Sequence, residues 1–150
     1  VTGTTITANT KFVGAIDGTV GATTPAAVTG TNVLATTTLG YKAGSGGSAS
    51  AQSGNKSATI TLNKINGKMT MHNESMNAND IKTFQFTNST IAATDVVIVN
   101  IADVGTPGNY LISVSDVSTG HCKITLKCIA GSSLTDALIL NFAVIKAVQS

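Results

Sequence analysis

Arginine is absent from this sequence: all nine basic side chains are lysine. Arginine is the residue that forks onto phosphates and base edges, so its absence weighs against nucleic-acid recognition. Tryptophan is absent too, and aromatics amount to only 4%. That argues against single-strand stacking platforms and against most carbohydrate platforms built from exposed rings. Charge is sparse, 11% of residues with a net +2, so neither a polyanion nor an anionic membrane is an expected partner. No apolar run approaches the roughly 18 residues that cross a bilayer, although mean hydropathy is +0.27. The apolar surplus therefore belongs in a core or in an interface. The opening residues lack the basic and apolar regions of a secretory leader, a segment that a mature product would have shed.

Helix signals are scarce as well. Thr, Val, Ile and Gly dominate, the apolar period is two, and turn residues recur at short intervals, the pattern of an all-β chain. Strands are expected over Ala58 to Lys64 and Lys68 to His72, joined by a hairpin at Asn66-Gly67, where both residues tolerate positive φ. Further strands are expected over Ile81 to Thr87, Asp95 to Ile101, Tyr110 to Asp116, His121 to Cys128 and Ala137 to Val148. The run Val96-Val97-Ile98-Val99 suggests a strand covered on both faces. Such strands at such spacing predict an antiparallel two-sheet β-sandwich, jelly-roll-like, over residues 58–150. In the last strand Leu138, Leu140, Phe142 and Val144 would face one side and Ile139, Ala143 and Ile145 the other. A strand apolar on both faces in a small sandwich points to a subunit contact.

The two cysteines lie on one alternating strand, with Cys122, Ile124, Leu126 and Cys128 sharing a face. Six residues at about 3.3 Å each separate the thiols by roughly 20 Å, whereas a disulfide needs Cα atoms within about 7 Å. Reduced, buried, hydrophobe-like thiols are expected, which suits assembly in a cytoplasm. His121 points away from Cys122, and no further ligands stand at metal spacing, so no metal or other cofactor is expected.

Residues 1–57 have a different character. Large apolar side chains are few there, and Ile6, Phe12, Val13, Ile16, Val33 and Leu34 are spaced among Thr, Gly, Ala and Ser. Val1 to Thr10 aligns with Val28 to Thr37 as a repeated extended unit, and glycines recur every three or four residues between the copies. Ala43 to Asn55 reads as a Gly/Ser-rich connector. The segment has too few apolar residues to bury itself and too little charge for an ordinary disordered tail. It is expected to order against partners, with Ile6, Phe12, Val13, Ile16, Val33, Leu34, Ile139 and Ile145 as the candidate subunit or partner contacts.

Catalysis finds little support. His72 and Glu74 are the one close imidazole and carboxylate pair, without a positioned nucleophile. Asp80, Asp95, Asp103 and Asp116 sit beside turns, where short carboxylates bond local amides. Gly44 to Gly47 lacks the Lys-Ser/Thr and the helix of a phosphate loop. No catalytic residue is nominated, and the chain is expected not to be an enzyme.

The run Ile91 to Asn100, then Gly105 to Tyr110, the Gly120 turn, and Ala137 to Lys146 resembles a β-sandwich domain common in tailed-phage virion proteins, cyanophages among them. The stretch Ser57 to Met71 fits the same pattern, and Thr4-Thr5-Ile6-Thr7 and Phe12-Val13-Gly14 resemble the Thr/Gly-rich repeats that precede it. The resemblance implies a virion structural protein. A short arm leading into one sandwich favours a capsid decoration or cement protein, a homotrimer on the capsid surface that binds the major capsid protein through its arms. A tail fibre, knob or other tail component is the alternative, and a carbohydrate-binding module for a host surface glycan is a second. The resemblance brings no catalytic or metal-binding residues with it.

Overall fold

The computed structural model describes residues 40–41, 43–49, 51–103 and 107–147. Eight strands form there: β1 (Gly47–Ser48), β2 (Ile60–Thr61), β3 (Asn66–Thr70), β4 (Ile81–Thr87), β5 (Val96–Asp103), β6 (Tyr110–Ser118), β7 (His121–Cys128) and β8 (Ile139–Ile145). They make two four-stranded sheets, sheet A in the order β1-β3-β8-β5 and sheet B in the order β2-β4-β7-β6. The expected all-β sandwich is the fold. From β3 to β6 the chain changes sheet at every step, β6 and β7 form a hairpin, and β8 returns to sheet A. Antiparallel pairing of β3 with β8 and of β4 with β7 gives the nested pattern of a jelly roll.

Alternation builds both sheets. On β7 the side chains of Cys122, Ile124, Leu126 and Cys128 are fully buried, while Lys123 faces solvent. Its partner β4 runs in unbroken register, from Ile81 opposite Lys127 to Thr87 opposite His121, with Phe84 and Phe86 inward. From sheet A, Met69, Leu140, Phe142 and Val144 complete the core. Phe86 and Phe142 meet across the sandwich, ring centroids 4.8 Å apart at 65°, an edge-to-face contact. All three methionines of the chain, Met69, Met71 and Met76, are buried here, where unbranched thioethers fill an irregular interior. Both cysteines are free and buried, and burial pushes the Cys122 thiol up to about 11.

The amino-terminal side of the sandwich departs from the sequence reading. The hairpin expected at Asn66-Gly67 does not form. β2 lies in sheet B parallel to β4, and β3 lies in sheet A against β8, so the flanking strands belong to different sheets. Gly67 serves a close approach instead of a turn: a Cβ there would overlap the carbonyl of Gly47, with which it pairs. The stretch read as a connector supplies β1, which runs parallel to β3, and Gln52, which is 4% exposed. Buried Asn88 ties the crossing segment down, its Nδ2 donating to the Lys64 carbonyl at 2.7 Å and its Oδ1 accepting from the Thr90 amide at 3.0 Å.

Candidate interaction surfaces

The outward residues of sheet A follow from the strand register. Val96 stands opposite Ile145, Ile98 opposite Ala143, and Asn100 opposite Asn141. Val96 is 52% exposed, Ile98 49% and Ile145 47%. Three large aliphatic side chains thus form an apolar patch where a small sandwich is normally wet. Of the contacts nominated from sequence, Ile139 and Ile145 share this outer face, Ile139 half-buried and Ile145 exposed. Ile6, Phe12, Val13, Ile16, Val33 and Leu34 lie outside the described residues. Val96 and Ile98 were missed because a continuous apolar run reads as covered on both faces, whereas among the described residues only its inward members are covered.

Sheet B presents a different outer face. Thr83 and Thr125 share a hydrogen bond of 2.9 Å across β4 and β7, and Lys123 bridges Asp116 at 2.9 Å. Ile81 and Leu111 are exposed at one end and flank Lys127 in a shallow groove of about 410 Å³, lined also by Ile112, Ser113 and Thr125.

A polar knot closes one end of the sandwich. Lys56 is fully buried, and its ammonium donates to the carbonyl of His72 and, at 2.6 Å, to that of Asp136. Its amide donates to Glu74 Oε2 at 2.7 Å, while Glu74 Oε1 accepts from Lys82 at 2.7 Å. Gln52 donates to the carbonyls of Lys56 at 3.1 Å and Ala58 at 2.7 Å, and accepts from the amide of His72. The Tyr110 hydroxyl donates to Asp136 Oδ2 at 3.0 Å. Asp136 therefore serves two sides of the fold, its carbonyl taking Lys56 and its carboxylate taking Tyr110. Burial pushes the Lys56 ammonium below its ordinary value, against the nearby Glu74 and Asp136 charges. Burial also pushes the Tyr110 phenol well up, with the Asp136 hydrogen bond adding to the shift. The Lys82 hydrogen bond holds the Glu74 carboxyl below the usual range.

Chemically, the knot is a lock between loops. Its groups are engaged with backbone or with one another, and Glu74 turns to Lys82 and the Lys56 amide rather than to His72. His72 Nδ1 is buried without a partner, and no cluster of His, Cys, Asp and Glu that could hold a metal is present among the described residues. No family model, no curated protein and no solved structure matches the chain.

Proposed function

We propose that this chain is a structural subunit of a virion, a capsid decoration protein of the tailed-phage type, which strengthens the particle by joining neighbouring subunits. What supports this reading is the apolar outer face of sheet A, Val96, Ile98 and Ile145, on a chain with little charge. Such a face is stable in water when another surface covers it, and each fully covered aliphatic side chain contributes about 1.5–3 kcal/mol. The resemblance carried by residues 91–100 and 137–146 supplies the setting. The spaced apolar residues before residue 40 suit, by sequence, the joining of neighbouring subunits. Mixing the full chain with undecorated heads of the encoding phage tests this. Co-sedimentation with the heads and a raised head-rupture temperature are expected. Binding to host cells or host polysaccharide without binding to heads would overturn decoration in favour of a tail component. The hydroxyl-rich outer face of sheet B is what favours that second reading.

A further inference from the structure

The sandwich has four sheet edges, and they are not alike. The outer edge of β3 is covered by β1 and that of β4 by β2. The edge of β6 is broken by a register shift between Ser115 and Ser118, where Asp116 takes a φ of 51° and pairs with Lys123. A bulge with inserted charge is a device that prevents strand pairing. The edge of β5 has no inserted charge over Val96 to Ala102; its own register shift lies at its far end, between Ile101 and Asp103, and Asp103 is its first charge.

The direction of its backbone groups follows from β8. The Val144 amide donates to Ile65 and the Leu138 carbonyl accepts from Met71, so the even-numbered residues of β8 point their backbone groups toward β3. The odd-numbered ones point toward β5, where Ala143 faces Ile98 and Ile145 faces Val96. Along β5 the amides and carbonyls of Val97, Val99 and Ile101 consequently point away from the sheet. Among the described residues, no backbone group bonds to them.

We propose that this edge is where a second copy of the chain pairs, β5 against β5 in antiparallel fashion about a twofold axis at Val99. That register sets Val99 opposite its own counterpart and Val97 opposite Ile101, so every outward amide and carbonyl finds a partner. It places Ile98 against Asn100 on the outer face. It sets Asp103 of each copy opposite Asp95 of the partner subunit, a buried carboxylate that its own Lys146 already neutralises at 2.5 Å. The two A sheets become one continuous sheet, and the apolar patches of both copies join into a single larger surface. The contact stands on the sandwich alone and holds whichever particle the chain serves.

Light scattering across a dilution series, with hydrogen exchange on the same samples, tests the pairing in the full chain. The expected result is twice the mass of the chain, with the Val97, Val99 and Ile101 amides exchanging at least tenfold more slowly in the concentrated sample than in the dilute one. Val99→Pro removes an outward amide that the sheet itself does not use, and Ile98→Lys sets two lysines beside the axis. Each is expected to give a monomer, and Ile98→Lys alters an exposed side chain that folding does not need. A wild-type monomer with fast-exchanging β5 amides would overturn the proposal. So would a monomer with slow ones, which would assign the edge to the chain's own amino-terminal segment, or a trimer that survives both substitutions.

Discussion

The two rims of the sandwich handle the same hazard differently. On one rim the sheets end in β3 and β4, each covered by a two-residue parallel strand that the buried Lys56 loop helps to hold. On the other they end in β5 and β6, long strands with no strand beyond them among the described residues. The first rim is closed by the chain itself, at the cost of burying an ammonium. The second is half blunted, by the Asp116 bulge, and half apolar. Among the described residues the β5 edge is the one left without cover or charge over Val96 to Ala102, and the proposed pairing uses it.

Removing the element common to both rims gives the largest effect. Phe142→Ala deletes the ring that meets Phe86 across the sandwich and is expected to cost about 3–5 kcal/mol, read as a fall in the urea midpoint. Because it loosens both sheets, it calibrates the rim-specific changes. Lys56→Met keeps the buried stem but leaves the His72 and Asp136 carbonyls without their donor. The loss expected in the same measurement is about 1–3 kcal/mol. Its local signature is fast exchange at the Ala49 and Gln52 amides, which bond to Lys68 and Thr70, while the β6 and β7 amides keep their protection.

Alkali separates the rims by sign. Lys56 has a folded pKa below its ordinary 10.5, so the unfolded state binds more protons in the window just beneath 10.5, and its contribution to stability rises with pH there. Tyr110 and Cys122 are shifted upward. The folded state keeps protons that the unfolded chain sheds from about pH 10 and 9, so their contribution falls as pH climbs past those values. Denaturation midpoints measured from pH 8 to 11 should therefore fall more steeply in Lys56→Met and less steeply in Tyr110→Phe. The smallest effect is expected on the blunted edge. Lys123→Ala breaks an ion pair whose side chains are 49% and 47% exposed, and the midpoint should stay within measurement error.

Sequence reading succeeded where local pattern and tertiary role coincide. The bounds of β4 and β7, Ile81 to Thr87 and His121 to Cys128, follow from strict alternation, as does the split of β8 into inner Leu138, Leu140, Phe142 and Val144 and outer Ile139 and Ile145. It failed where the deciding contact is distant. Asn66-Gly67 has the local chemistry of a turn, but Gly67 is needed for the approach of Gly47, and nothing near it in sequence announces that. β1 and β2 are too short to carry a period. Lys56 stands in the polar run Ser53-Gly54-Asn55-Lys56-Ser57, where a lysine is ordinarily solvated, and its burial depends on carbonyls 16 and 80 residues away. For the candidate surface, the parity of β8 was legible and the exposure of Val96 and Ile98 was not. An apolar run does not say whether its second cover comes from within the chain or from another molecule.

The nested pairing of β3 with β8 has a kinetic consequence. Residues 66–70 bond to residues 139–143, and β8 lies between β3 and β5 while following both in the chain. On a ribosome, β3 and β5 emerge long before the strand that joins them, so sheet A cannot close until β8 is released. A topology dominated by such distant contacts folds on the millisecond-to-second scale. During that interval the uncharged Val96–Ala102 stretch is exposed on both edges. The feature that suits β5 to docking is then also the one most exposed to misassembly, and the time needed to deliver β8 sets how long that exposure lasts.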